Sequence, residues 1–115
     1  MEILDKQAFF ETREKIFALN KNLNSIRQRV QIAETDRKKC LITVKELESL
    51  PQTTKTYKAV GKMFVVAPIN TLKVELKQQA AKREEESTGY INQGKYIEAQ
   101  LNEAQASLKE LVKMK

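Results

Sequence analysis

The chain has 115 residues with no histidine, one cysteine, three glycines and two prolines, and its 21 basic side chains outnumber 15 acidic ones. Without imidazole there is no Ser/His/Asp or Cys/His nucleophile and no histidine-bearing metal site, and a lone thiol cannot close an internal disulfide. Residues 1–50 hold ten basic and eight acidic groups, 51–67 three and none, and 68–115 eight and seven, so the +6 surplus is not the dense basic stripe of a nucleic-acid binder.

The opening MEILDK carries acids where a secretory leader carries basic residues and an apolar run. Met63–Ala67 is too short to span a bilayer. A reduced, cytoplasmic compartment is therefore expected. From Phe9, apolar or small residues recur at alternating steps of three and four: Phe9, Thr12, Ile16, Leu19, Leu23, Ile26, Val30, Ala33, Arg37, Cys40, Val44 and Leu47. This is the a/d register of a coiled-coil seam, and Lys, Arg, Glu, Gln and Asn fill most positions between. So narrow a stripe calls for one partner helix rather than a broad core. Cys40 falls in the seam, which predicts a small buried apolar residue rather than a reactive thiol.

Leu50-Pro51 closes this segment, because proline lacks a donor and biases the residue before it away from helix. Two short runs rich in β-branched and aromatic residues follow, Thr53–Ala59 and Lys62–Val66, with Val60-Gly61 between them as the predicted turn. Gly61 can supply the positive φ of a tight β-hairpin. Pro68 suits the first turn of a second helix. Its seam begins at Ile69, Leu72 and Leu76, shifts phase at Ala80, and continues through Arg83, Ser87, Tyr90, Gly94, Ile97, Leu101, Ala104, Leu108 and Leu111. Gly89 and Gly94 predict a looser segment, a close backbone approach, or glycines merely tolerated on a long helix. Glu84-Glu85-Glu86 reads as a solvated face.

The fold expected is mainly α: a long antiparallel two-helix coiled coil joined by a single β-hairpin. Its boundaries are helix at about 5–50, hairpin at about 53–66 and helix at about 68–113, one domain over 1–115. An isolated hairpin is marginal in water, and a slender helix pair has no face wide enough to cover both of its sides. Tyr57, Val60, Gly61, Met63, Phe64, Val65 and Val66 are accordingly the candidate assembly residues, which hairpins of other chains would complete. Lys55, Lys58 and Lys62 serve either as edge charges that restrict pairing or as plain solvated side chains. Gly61-Lys62 lacks the upstream glycine and the following Ser/Thr of a phosphate loop. No catalytic site, metal, cofactor or small-molecule substrate is expected.

The stretch Tyr57-Lys58-Ala59-Val60-Gly61-Lys62-Met63-Phe64, set between two seams of matching length, resembles the hairpin pattern of β-class prefoldin subunits. The α class of that family carries two hairpins, and this chain has room for one. The resemblance implies a hetero-hexamer of two α-class and four β-class subunits, with hairpins forming a double β-barrel platform from which the coiled coils hang. It also implies ATP-independent binding of unfolded polypeptides, notably actin and tubulin, at the coiled-coil tips, and their delivery to the cytosolic group II chaperonin. Near the expected tip lie Phe9, Phe10, Ile16 and Phe17 on one helix and Leu108, Leu111, Val112 and Met114 on the other, the candidate client-binding residues. Two other readings remain open: a structural or tethering coiled coil of another complex without client binding, and a nucleic-acid-binding helical hairpin resting on the +6 charge.

Overall fold

The structure is a computed structural model and describes residues 2–3 and 5–113. In chain order the elements are β1 (Glu2–Ile3), α1 (Lys6–Glu48), β2 (Thr56–Val60), β3 (Met63–Ala67), α2 (Ile69–Glu110) and β4 (Val112–Lys113). They form two compact units, one of Gln31–Ser87 and one of Met1–Val30 with Thr88–Lys115.

Each expected seam position is buried or half-buried, on both helices and through the phase shift at Ala80. In the unit holding both chain ends, the core is Leu19, Leu23, Leu101 and Ala104, with Ile16 and Ile97 packed against it. The helices run antiparallel there, with Arg27 bound to Glu98 at 3.4 Å and the Arg29 guanidinium 5.8 Å from the Tyr90 ring centroid. Asp5 caps α1 by accepting a hydrogen bond from the Ala8 backbone N–H at its carboxylate, 3.1 Å, which satisfies one of the free donors of the first turn. At the other end α2 stops at Glu110, where the expected helix ran to about 113. Val112 and Lys113 instead form β4, pairing antiparallel with β1 through Ile3↔Val112 and Glu2↔Lys113. The helical expectation for Val112 is thus corrected: a strand supplies the backbone partners that a fraying helix end would lack.

In the unit Gln31–Ser87 the seam passes through a polar layer. The Arg83 Nε donates to Asp36 at 2.7 Å, and its Nη1 reaches both carboxylate oxygens of Glu86 at 3.1 and 2.9 Å. Ser87, 2% exposed, donates its hydroxyl to Glu34 at 2.9 Å, and Arg37 binds the other oxygen of the same carboxylate at 2.9 Å. No buried side-chain polar atom among the described residues lacks a partner. Polar seam residues that find each other only in one alignment oppose slippage of one helix along the other. Hydrogen bonds from Arg37, then Ser87, hold the Glu34 carboxyl below its ordinary value, and those from Arg83, then Gln79, do the same for Asp36. A depressed folded-state pKa contributes stability that is complete above the unfolded pKa and is lost as pH falls through the carboxylate range. The thermal midpoint should therefore drop on acidification from neutral to about pH 3, and drop less in a Glu34→Gln/Asp36→Asn variant. Equal pH slopes would show the layer to be energetically idle. Cys40 is buried in the same seam, where burial, and secondarily Asp36, pushes its thiol pKa up, as suits an inert packing residue.

The helix glycines neither break α2 nor mark a tight crossing. A Cβ on Gly89 would meet nothing within 4 Å, and one on Gly94 would lie 3.6 Å from Ile26 Cγ2 and 3.8 Å from Leu23 Cδ1, ordinary contact distances. Gly89→Ala and Gly94→Ala should each stabilise the chain by about 0.5–1 kcal/mol through helix propensity. Gly61 has a φ of 61°, so Gly61→Ala should instead cost about 1–2 kcal/mol. Thermal melts of the three variants check both signs.

Candidate functional site

The hairpin is set up by its flanks. The carbonyl of Pro51 accepts the Thr54 N–H at 3.0 Å, turning the chain out of α1, and the Thr56 hydroxyl binds the Ala67 carbonyl to close the base of the ladder. The pairing is Thr56↔Ala67, Tyr57↔Val66, Lys58↔Val65, Ala59↔Phe64 and Val60↔Met63. The turn is therefore Gly61-Lys62, one residue later than the expected Val60-Gly61. Positive φ at Gly61 alone is the mark of a type II′ turn, which wants glycine first and twists in the sense of the strands. Val60, β-branched and ill suited to a turn, is better placed in the strand.

Strand alternation sorts the residues into two faces. One carries Thr56, Lys58, Val60, Met63, Val65 and Ala67, and from it the Lys58 ammonium reaches Glu75 of α2 at 3.0 Å. Beneath lies an open cleft floored by Leu47, Leu72 and Leu76. The other face carries Tyr57, Ala59, Phe64 and Val66 and no charge. Both faces are exposed over most of their length: Phe64 is 76% exposed, and Tyr57, Val60, Met63, Val65 and Val66 are all open to solvent. Each strand also keeps one edge without a ladder partner among the described residues. A patch of large apolar side chains beside unpaired strand edges is a surface awaiting other strands. The neutral second face follows from strand alternation and survives the misplaced turn, whereas the Lys58–Glu75 contact joins residues 17 apart that only the fold brings together.

The candidate client-binding residues divide by exposure. Phe10 is 55% and Phe17 73% exposed, seven residues apart on α1, with Arg13 and Glu14 between them forming an open groove. Phe9, Ile16, Leu108, Leu111 and Val112 are half-buried. Phe9 meets Phe10 edge-on at 5.8 Å between ring centroids and has the Arg13 guanidinium over its own ring at 5.9 Å, which holds it against the helix. Met114 lies outside the described residues. Among the described residues of the set, the exposed apolar surface is thus Phe10 and Phe17.

Among the described residues no cluster of His, Cys, Asp and Glu could hold a metal ion, and no helix is long and apolar enough to cross a membrane. A family profile described as prefoldin subunit matches residues 12–115. Over 115 residues, the whole of both chains, the sequence is 66% identical to the probable prefoldin subunit 1 of Dictyostelium discoideum. It is 31% identical to prefoldin subunit 1 of Arabidopsis thaliana over 107 residues, covering 93% of this chain and 84% of that one. The fold matches the crystal structure of the prefoldin beta subunit from Thermococcus strain KS-1 with a TM-score of 0.88, all of both chains and 21% identity.

Proposed function

Because the chain belongs to the prefoldin subunit family, we propose that it is one subunit of a hetero-hexameric co-chaperone that works without ATP. Its hairpin joins α- and β-class partner subunits. The unit that carries both chain ends holds unfolded polypeptides, of which actin- and tubulin-like chains are the expected clients, for delivery to the cytosolic group II chaperonin. It acts in the cytoplasm as a single prefoldin-like domain over residues 1–115, and it carries no catalytic activity, cofactor or small-molecule substrate. The observation that carries this reading is the hairpin itself, whose large apolar side chains are left open on both faces. A chain that stood alone would leave this surface to aggregate.

Native mass spectrometry of the chain purified from its own cell tests the assembly. Six subunits of several kinds are expected, and a lone monomer or a self-contained homodimer would sink the proposal. Holding activity is assigned first to Phe10 and Phe17. Phe10→Ser/Phe17→Ser should enter the hexamer normally yet lose several-fold in suppression of client aggregation, since two exposed aromatic rings supply most of the greasy contact there. Full suppression by that hexamer would favour the tethering role, in which the end of the helix pair needs no client affinity.

A further inference from the structure

The hairpin's charge is one-signed. Between Pro51 and Ala67 there are three lysines and no acid. The structure separates their tasks: Lys58 is engaged with Glu75 of its own chain at 3.0 Å, whereas Lys55 lies just before β2 and Lys62 in the turn, both exposed. These two cations bracket a face made only of Tyr57, Ala59, Phe64 and Val66. Apolar burial and backbone edge pairing do not depend on which side chains the partner carries, so they would serve a second copy of this chain as well as any other partner. Between two copies, however, the lysines of each hairpin would meet only cations. Like charges brought into a desolvating interface penalise the wrong partner, which is the usual means of specificity where the attractive contact is generic.

We propose that Lys55 and Lys62 select the neighbour of this hairpin, disfavouring a second copy and favouring the hairpin of a different subunit that carries carboxylates beside its strands. This rests on the reading of the chain as an assembling subunit. It adds to it the chemical identity of the adjoining surface.

The probe is a charge-reversed copy of the chain itself, Lys55→Glu/Lys62→Glu, with Lys55→Gln/Lys62→Gln as the neutral control. Circular dichroism first establishes that both are helical. In sedimentation velocity at low salt, wild type should associate with the reversed copy about tenfold more tightly than with itself, the neutral copy falling between. Raising the salt to about 0.5 M should close most of that gap, since screening then acts within a few ångströms. Wild-type self-association as tight as the mixed pairing, or a gap indifferent to salt, overturns the proposal. Reconstitution with the other prefoldin subunits of the same cell separates the two levels. Entry of wild type and exclusion of the reversed copy supports the proposal. Equal entry of both overturns it while leaving the prefoldin reading intact, and entry of neither overturns that reading and this proposal together. If the lysines instead bind a single-stranded oligonucleotide and their reversal leaves subunit pairing unchanged, the proposal is likewise wrong.

Discussion

Phe64→Ser is expected to abolish incorporation into the hexamer while leaving the isolated chain as helical and as heat-stable as wild type. The ring is 76% exposed in the single chain, so its removal empties no core. Surface substitutions of this kind ordinarily move stability by no more than about 0.5 kcal/mol. In an assembly the same ring would be fully covered, and buried aromatic anchors cost about 2–4 kcal/mol when truncated, roughly 30- to 1000-fold in affinity. The contrast between an unchanged melt and a lost complex is diagnostic of a side chain placed for a partner. Native mass spectrometry of the reconstituted mixture reads the complex. Undiminished incorporation would mean that the hairpin is not where the subunits join.

Leu23→Ala should have the opposite character, with the unit carrying both chain ends loosening while the hairpin keeps its ladder. Leu23 is 4% exposed within the cluster of Leu19, Leu101 and Ala104. Truncating a buried leucine typically costs about 2–4 kcal/mol through lost transfer energy and the cavity that remains. A seam one residue wide has little to spare, since even whole domains are stable by only about 5–15 kcal/mol. Hydrogen exchange should accordingly lose protection in α1 before residue 30 and in α2 after residue 88, with the β2–β3 amides little affected. The proposed client holding should fall with it, because Phe10 and Phe17 need an ordered α1 to be presented together. Uniform loss of protection across the chain would show that the two units do not unfold separately.

The elements themselves were readable because each depends on near neighbours in the chain. Steps of three and four put Leu23, Cys40, Ala80 and Leu101 on one stripe whatever else the protein does, and Pro51 and Pro68 interrupt helix locally. Even the misplaced hairpin turn did limited damage. Moving it by one residue changes the strand partner of Tyr57 by two positions but not the face on which it stands. The resemblance to prefoldin rested on the same local string, and so did the expectation of an open, partner-seeking hairpin.

Other features depend on groups far apart in sequence that only folding brings within bonding distance. Nothing near Arg83 announces that its Nε donates to Asp36, nor does Ser87 show that it closes on Glu34. The pairing of Ile3 with Val112 likewise joins residues from opposite ends, replacing the last helical turn with a strand. Exposure of Phe10 and Phe17 against half-burial of Phe9 and Ile16 needed no such knowledge, because Phe9 and Ile16 lie on the seam and the other two do not. Local periodicity thus dictated which residues form helix, strand and seam, since backbone geometry repeats over a few residues. Which charges are neutralised within the chain, and so which hairpin lysines are left to solvent, followed from three-dimensional proximity, because pair energies fall off with distance in space and not with distance along the chain.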